Sequence, residues 1–387
     1  MGKYMERKIK VLHISKYYPP YIGGIESVAY DIVSSLQKSG NYEQKVICFN
    51  SEKNDCFGIY DSVFVYRIGS KAKISSQPIN FGYKKQLRKV IDEFKPDVIH
   101  FHYPNPYVAH YLLKLNYHGK LIVHWHADII KQKFLKVFFH YQNIKLLNRA
   151  DLILATSPAY LKNTDYLPDY VDKIKILPLS IGESRTKITQ KQIENAKIIK
   201  GKCLGKKICF FFGRHVAYKG LDYLIDSNQY LDQNKIEIFI GGQGPLTKKL
   251  KKKSEKYNNI HFLGRLSEDD INSYLLASDI FLFPSITRNE AFGISLAEAM
   301  YFGKPSCTFT IPGSGVNWVS LNDVTGLEAP NKDIKSYADN ITKLVEDPIL
   351  YKRLSENAKQ RSMDYFTLEC FEQKVVDVYN RLNGFIQ

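Results

Sequence analysis

The feature that most limits the possible folds of this chain is an alternation of short apolar segments with longer amphipathic ones, which occurs twice. In the first half the apolar segments are KVLHIS, QKVICF, PDVIHFH, KLIVHWH and ADLILATS. In the second half they are KICFFFG, IEIFIGG, IHFLG, DIFLFPS and KPSCTF. Because this alternation is typical of buried parallel strands joined by helices, the sequence predicts an α/β protein with two doubly wound domains.

The length and the polar segments place the domain boundaries. A chain of 387 residues exceeds the size at which one hydrophobic core stops growing. The polar stretch 183–206 lacks strand signals and is predicted to be a linker between domains at 1–182 and 207–366. The tail is predicted to form two helices, and the second, at about 367–387, could cross back to cover the first domain.

Cysteine usage and hydropathy indicate the compartment. The six cysteines are scattered without a C-x-x-C pair, which favours free thiols in a reducing compartment over a disulfide framework or a zinc site. No stretch approaches the roughly 18 apolar residues that a membrane span needs, and the apolar run at the start is too short for a signal peptide. We therefore expect a cytoplasmic protein that is soluble or peripheral.

The positive charge is concentrated in the first half. Residues 1–180 carry 26 Lys+Arg against 15 Asp+Glu, a surplus of +11 out of the net charge of +16. Such a bias indicates an anionic partner, either membrane lipid or nucleic acid. Residues 129–149 mix lysines with large apolar side chains, as an interfacial helix does, although a core helix with a basic face has the same pattern. The diffuse charge and the lack of a recognised motif argue against nucleic acid.

Polar and glycine residues follow several predicted strands, at the edge where open parallel sheets bind ligands. Gly23 and Gly24 follow the first strand and open a helix, so they could admit a phosphate or could form a simple tight turn. His126 and Asp128 follow KLIVHW, where each could act in a ligand site or as a structural hydrogen-bonding group. These positions make the first domain one side of a candidate site.

The second half supplies cations at equivalent positions. Arg214 and Lys219 follow KICFFFG, where an arginine can bind phosphate oxygens in a bidentate manner and a lysine adds a point charge. The turn GGQGPL follows IEIFI, and Arg265 follows IHFLG. Together with the first domain, these residues predict a cleft between two sheets that binds a diphosphate.

The segment SITRNEAFGISLAEAM, residues 285–300, contains Glu290 and Glu298. Ser295 and Glu298 fit the S-x-x-E capping box, so Glu298 could simply close a helix N-terminus. Alternatively, the loop ending in Gly293 and the following helix present backbone N–H groups and a positive dipole end to an anion.

Several function classes lack their signatures. There is no G-x-G-x-x-G after the first strand and no G-x-x-x-x-G-K-[ST], which disfavours nicotinamide enzymes and P-loop NTPases. No D-x-D occurs, so no carboxylate pair is identified that would hold a divalent cation on a diphosphate. We therefore expect no metal and no cofactor, with Arg214, Lys219 and helix dipoles neutralising the diphosphate.

Several motifs together resemble the family-four retaining glycosyltransferases of the GT-B fold. They are YYPPYIGGIE, HWHADI, FFGRHVAYKGLDYLI, IGGQGPL, FLGRLSEDDINSYLLASDIFLFPS and NEAFGISLAEAMYFGKP. The likeness runs over nearly the whole chain, and its most specific element is the E-x7-E pair. It implies two Rossmann-like domains facing a cleft, and it favours the ligand-site interpretation of the two glutamates.

The resemblance also implies roles for the E-x7-E segment. Glu290 is expected to hydrogen-bond hydroxyls of the donor sugar, and Glu298 the nucleotide ribose. Backbone around Phe292 and Gly293 is expected to meet the sugar and phosphate. His126 is expected to contact the transferring sugar near its reactive carbon, with Asp128 as a helper.

The remaining donor contacts follow from the same resemblance. Arg214 and Lys219 are expected to hold the diphosphate, and Gly24, beside Gly23, to close over it from the first domain. The Gly264-Arg265 region is expected to lie near the base. Retention of the anomeric configuration, which the resemblance implies, means that the leaving phosphate itself takes the proton of the acceptor.

The segments PGSGVNWVSLNDVTGLEAP and HWHADIIKQK are similar to O-antigen or capsule transferases. The resemblance implies transfer of a hexose from a nucleotide-diphosphate sugar to a lipid-linked glycan at the inner face of the cell membrane. GDP-mannose is the favoured donor, and a UDP-sugar is an alternative. Other hypotheses are a nucleotide-sugar 2-epimerase, a transferase with a soluble acceptor, and a non-enzymatic polyanion binder.

Overall fold

The structure is a computed structural model that describes residues 7–21, 23–74, 77–127, 133–382 and 384. The chain divides into two compact units. The first unit comprises Met1–Thr156, Thr164–Pro178 and Phe371–Gln387. The second comprises Ser157–Asn163 and Leu179–Cys370.

The first unit is built on a mostly parallel sheet. Its strands are β1 (Ile9–Ile14), β2 (Tyr42–Phe49), β3 (Cys56–Tyr60), β4 (Val63–Ile68), β5 (Ala72–Ile74), β6 (Gln77–Ile79), β7 (Val98–Tyr103), β8 (Lys120–Trp125), β9 (Leu152–Ala155) and β10 (Ile174–Ile176). Its helices are α1 (Gly24–Ser39), α2 (Tyr83–Phe94), α3 (Pro106–Leu113) and α4 (Lys133–Arg149), with a 3-10 segment at Leu167–Lys173. The order in the sheet is β10-β9-β8-β7-β1-β2-β4-β3, and only β3 runs antiparallel to its neighbour. Strands β5 and β6 form a separate antiparallel pair.

The second unit is built on a wholly parallel sheet. Its strands are β11 (Lys207–Phe212), β12 (Ile236–Gly241), β13 (Ile260–Gly264), β14 (Ile280–Phe283), β15 (Ser306–Phe309) and β16 (Gly326–Ala329). Its helices are α5 (Pro158–Asn163), α6 (Glu183–Thr186), α7 (Gln190–Lys202), α8 (Leu221–Ser227), α9 (Thr247–Ser254), α10 (Glu268–Ala277), α11 (Ile294–Tyr301), α12 (Val316–Val319), α13 (Ile334–Glu346) and α14 (Pro348–Tyr365). The order β13-β12-β11-β14-β15-β16 reverses direction between β11 and β14. Ligands bind at such a reversal, outside the carboxyl ends of the strands.

The predicted fold class is confirmed. Each apolar segment identified in the sequence contains a parallel strand, and helices lie between them. The sequence analysis missed β3, β4, β5, β6, β10 and β16. Strand β3 is mostly exposed at a sheet edge, and β10 and β16 have only three and four residues, so none of these three forms a long apolar segment.

The stretch 183–206, predicted as a linker, is part of the second unit. It contains α6 and α7. Helix α7 begins with a capping box in which the Thr189 side chain accepts from Gln192 N. The Gln192 side chain also donates to Asp269 Oδ1 at 2.7 Å, which ties α7 to α10. The lack of strand signals in this stretch therefore reflects helices that pack against the domain.

The last helix, α15 (Leu368–Leu382), crosses back to the first unit as the sequence indicated. Phe371, Val375 and Tyr379 form its buried face at intervals of four residues. The Tyr379 hydroxyl lies 2.7 Å from Nδ1 of His100 on β7. The second unit is therefore followed by a segment that completes the core of the first.

Two further expectations concern thiols and membranes. All six cysteines are free, which confirms that they form no disulfide framework. Among the residues that the structure describes, no helix is long and apolar enough to cross a membrane. The basic segment 129–149 corresponds to α4 from Lys133 onward, and its first four residues lie outside the described part of the chain.

Candidate active site

The strand reversal of the second unit brings together two residues that the sequence identified separately. Lys219 follows β11, Glu290 follows β14, and the two side chains form an ion pair. Their side chains are only 10% and 12% exposed. Ser285 Oγ also donates to Oε2 of Glu290 at 3.2 Å. An ammonium and a carboxylate are thus held in contact at the ligand-binding edge of the sheet.

A glycine allows Lys219 to reach this position. Gly220 has a φ of 64°, in the left-handed region. A Cβ there would lie 2.0 Å from the carbonyl oxygen of Pro284, at the end of β14. Only a glycine therefore lets the β11–α8 loop pack this closely against β14. The Lys219 ammonium also lies 4.9 Å from the centre of the Phe283 ring, within cation–π range.

The capping-box interpretation of Glu298 is wrong. Helix α11 begins at Ile294 with Gly293 as its N-cap, at a φ of 94° and without a side-chain cap. Ser295 therefore lies inside the helix, and Glu298 lies a full turn beyond its start. Since no side chain caps the first turn, its N–H groups and the positive dipole end suit an anionic ligand. The Phe292 side chain packs edge-on against Phe366 in the core, so the predicted ligand contact of Phe292 would be made by its backbone.

Glu298 is held by an arginine that the sequence did not identify. Arg185 Nε lies 2.9 Å from Glu298 Oε1, and both residues are buried. Arg185 also contacts Asn272 Oδ1 at 2.9 Å and pairs with Glu268 at 2.7 Å. Burial raises the pKa of Glu298, while the charge of Arg185 acts in the opposite direction. Arg185 was missed because it lies in the stretch interpreted as a linker and no local motif marks it.

The other predicted donor residues of the second unit lie at the same sheet edge. Arg214 follows β11, and Gly264 and Arg265 end or follow β13, two strands away. Both arginines are exposed. The backbones here are closely packed, since Gly242 N donates to Gly264 O at 2.6 Å. The carboxyl edge of the sheet that carries the Lys219–Glu290 pair therefore also carries two exposed cations.

Gly23 and Gly24 open helix α1 in the first unit. Gly23 is the N-cap, with an extended φ of −171°, and Gly24 is the first helical residue. A Cβ at Gly23 would lie 2.3 Å from Oε2 of Glu26. Glu26 is buried, and burial raises its pKa. The missing side chain of Gly23 thus makes room for a buried carboxyl group that the sequence analysis did not single out.

His126 directly follows β8 in the first unit and is 5% exposed. Its Nε2 lies 3.0 Å from Nδ1 of His102. Burial lowers the pKa of His126 to about 3, so its imidazole is neutral at physiological pH. Asp128, its predicted helper, lies outside the described residues.

Comparison with known proteins agrees with this architecture. The family described as Glycosyltransferase Family 4 matches residues 22–180, and that described as Glycosyl transferases group 1 matches residues 192–361. O-antigen chain mannosyltransferase C of Escherichia coli is 26% identical over 377 residues, covering 97% of this chain and 99% of the relative. D-rhamnosyltransferase WbpZ of Pseudomonas aeruginosa is 29% identical over 365 residues, covering 93% and 92%. The solved structure of sucrose-phosphate synthase from Thermosynechococcus elongatus has a TM-score of 0.79 at 17% identity, covering 98% of this chain and 100% of that one.

The two parallel sheets and the structural likeness define the GT-B fold. The two sequence matches lie one on each half of the chain and together span most of it. The chain therefore belongs to the family-four type of GT-B glycosyltransferase.

Proposed function

We propose that this protein transfers a hexose from a nucleotide-diphosphate sugar to a lipid-linked oligosaccharide, with retention of anomeric configuration and without a metal ion on the diphosphate. The observation that carries the proposal is the contact between Lys219 and Glu290 beside the uncapped start of α11. A cation that can stabilise a leaving phosphate thus lies next to a carboxylate that can accept hydrogen bonds from sugar hydroxyls. GDP-mannose is the favoured donor, and a UDP-sugar is the alternative.

The chemical step requires charge stabilisation more than a nucleophile. The bond between the anomeric carbon and the phosphate oxygen breaks, and negative charge develops on the diphosphate. Lys219, Arg214 and the N-terminus of α11 are the groups that would stabilise this charge. The acceptor hydroxyl bonds to the anomeric carbon on the same face, and its proton passes to the departing phosphate.

The hydrogen-bonding capacity of Glu290 and His126 supports their assignment to the sugar. Glu290 already accepts from Ser285 and pairs with Lys219, so a carboxylate is available at this point. His126 is neutral and can donate or accept a hydrogen bond to a sugar hydroxyl without adding positive charge beside an oxocarbenium-like centre. Glu298, fixed by Arg185, is assigned to the ribose.

The acceptor assignment is supported by the relatives. The O-antigen mannosyltransferase and the D-rhamnosyltransferase match this chain over nearly their full lengths. The surplus of positive charge in residues 1–180 fits an anionic membrane surface, where a lipid-linked acceptor would be met. We infer an enzyme of surface polysaccharide synthesis, O-antigen or capsule, that acts as a peripheral protein at the cytoplasmic face of the membrane.

The test is sugar transfer from a panel of radiolabelled donors, GDP-mannose, UDP-galactose, UDP-glucose and UDP-N-acetylglucosamine, into the lipid fraction of a membrane extract. We expect one donor to label the lipid fraction with wild type. Glu290→Gln should abolish labelling, because it removes the charge that pairs with Lys219. The matched control is Glu255→Gln, at an exposed glutamate of the same unit, which should behave as wild type.

The other outcomes identify the alternatives. Conversion of the donor without any acceptor would indicate an epimerase, and transfer only to soluble sugars would indicate a soluble-acceptor transferase. Unchanged labelling with Glu290→Gln would overturn the assignment of Glu290. No turnover of any donor, together with salt-sensitive binding to polyanions, would favour the binder hypothesis.

A further inference from the structure

A cluster of five buried histidines lies on one face of the first sheet. It comprises His13 on β1, His100 and His102 on β7, His124 on β8 and His126 just beyond β8. Side chains two residues apart on a strand share a face, and the parallel register places His13 beside His100 and His102 beside His124. All five residues are 5% exposed or less. We call these residues the histidine cluster.

His13, His100 and His102 each have one ring nitrogen engaged by a hydrogen-bond partner, which for His102 is another member of the cluster, His126. The pairs are His13 Nε2 with Gln44 Oε1 at 2.9 Å, His100 Nδ1 with the Tyr379 hydroxyl at 2.7 Å, and His102 Nδ1 with His126 Nε2 at 3.0 Å. The second ring nitrogen of each of the three is buried, and it has no hydrogen-bond partner among the described residues. A buried polar atom without a partner destabilises the fold, so three together indicate that a ligand compensates.

The hydrogen bonds of Gln44 fix the tautomer of His13. The Gln44 amide nitrogen donates to the carbonyl oxygen of Val33 at 2.9 Å, so its amide oxygen faces His13. That oxygen can only accept, and His13 Nε2 must therefore carry the proton and donate. An imidazole with its proton on Nε2 carries a lone pair on Nδ1, and Nδ1 of His13 has no hydrogen-bond partner among the described residues. This is the state in which an imidazole binds a metal ion.

We propose that His13, His100 and His102 bind one transition-metal ion of the zinc class. One ring nitrogen of each of these three residues lies within 4.8 Å of the other two. Zinc–nitrogen bonds of about 2.0–2.1 Å would bring the nitrogens to about 3.4 Å from one another. The rings of His100 and His102, whose centres are 4.6 Å apart at 11° from parallel, would have to turn toward a common point to bind the ion. A set of neutral imidazoles without carboxylates selects zinc, copper, nickel or cobalt over magnesium or calcium.

The outer partners support a metal site over a chance accumulation of histidines. Metal-binding histidines donate their other ring N–H to a fixed acceptor, which sets the tautomer and the ring orientation. Gln44, Tyr379 and His126 occupy these outer positions for the three proposed ligands. His124, whose ring nitrogens both lack a partner among the described residues, has its ring centre 5.5 Å from those of His100 and His102. Its nitrogens group with those of His102 and His126, so His13, His100 and His102 remain the three proposed ligands.

The ion has a structural role in this proposal. It joins β1 to β7 and, through Tyr379, fixes helix α15 on the sheet. The ligands are fully buried, so the ion would be taken up as the unit folds. The metal content of this site can be measured without any assay of the proposed sugar transfer.

The first test is metal content of the full chain produced in zinc-supplemented medium and passed over a chelating resin. We expect about one equivalent of zinc in wild type and in His118→Gln, an exposed histidine of the same unit. His100→Gln should reduce the zinc to background. Wild type that holds no zinc, both as purified and after refolding with zinc, would overturn the proposal, as would full retention by a folded His100→Gln.

A second variant covers the case in which His100→Gln does not fold. Gln44→Leu keeps all proposed ligands but removes the acceptor of His13, so zinc affinity should fall about 10–100-fold. Zinc-edge X-ray absorption of wild type should show nitrogen ligands. Unchanged affinity in Gln44→Leu, or sulfur ligands in the spectrum, would contradict the assignment.

Discussion

Arg185 and Glu298 form a buried ion pair in the second unit, with Nε of the arginine 2.9 Å from Oε1 of the glutamate. The sequence identified Glu298 as the ribose ligand but placed Arg185 in a linker. Burial alone would favour a protonated carboxyl at Glu298, and the guanidinium favours the ionised form that hydrogen-bonds hydroxyls. Helix α6 therefore positions and charges a side chain of the proposed donor site.

Removal of Arg185 should destabilise the second unit strongly. Arg185→Met leaves Glu298 buried without its cation, and we expect a loss of about 3–5 kcal/mol in the free energy of unfolding. Arg353→Met breaks the exposed pair with Asp323 and should cost less than about 1 kcal/mol. Urea denaturation of both variants measures the difference. Equal losses would show that the Arg185 pair is energetically no different from a surface pair.

The raised pKa of Glu298 predicts a pH dependence of nucleotide binding. A carboxyl whose folded-state pKa lies above the ordinary value takes up a proton at a higher pH than in the unfolded chain. The carboxylate that accepts from ribose is therefore lost earlier as the pH falls, and nucleoside diphosphate affinity should weaken with it. Calorimetric titrations should show this weakening in wild type, while Glu298→Gln should lack the component due to this carboxyl. If nucleotide affinity changed with pH in the same way in wild type and in Glu298→Gln, the proposed ribose contact would be contradicted.

Lys219 should matter for turnover as well as for folding, since its loss also leaves the nearly buried Glu290 without its cation. Loss of a preorganised charge beside the leaving diphosphate typically reduces kcat by about 10²–10³, which is the expected effect of Lys219→Met. Lys249→Met, at an exposed lysine of α9, should keep wild-type kcat. The measurement is initial rate at saturating donor. A normal kcat in Lys219→Met would remove this residue from the chemical step.

The contact of Gly220 with β14 can be tested by a pair of glycine substitutions. Gly220→Ala has an unfavourable φ and a Cβ 2.0 Å from Pro284 O, whereas at Gly205, with a φ of 82°, nothing lies within 4 Å of an added Cβ. Gly205→Ala should cost about 1–2 kcal/mol from backbone strain alone. Gly220→Ala should cost clearly more and should also reduce transfer activity, because it displaces Lys219. Similar melting temperatures for the two variants would refute the close-packing argument.

The fold was largely predictable because its signals are local. Buried parallel strands are short apolar runs, and the glycine and polar residues that follow them mark the carboxyl edge of a sheet. Lys219 and Glu290 were both identified in this way. Their direct contact could not be predicted, because it depends on the adjacency of β11 and β14, which lie far apart in sequence.

The missed features depend on tertiary packing. Arg185 lies on a four-residue helix without a motif, and its role appears only when α6 packs near α11. The histidine cluster draws on three strands whose order in the sheet is not written in any one segment. The capping box at Ser295 was misleading because the left-handed Gly293 starts the helix two residues earlier.

The most direct test of the account is thermal unfolding of wild type and Glu298→Gln with GDP, UDP, TDP and ADP, each at equal excess. A ligand at about one hundred times its Kd adds about 2.7 kcal/mol to stability. The account predicts that one nucleotide raises the wild-type melting temperature selectively and that the shift is smaller in Glu298→Gln. If none of the four nucleotides shifts the wild-type transition, the donor-site assignment is contradicted.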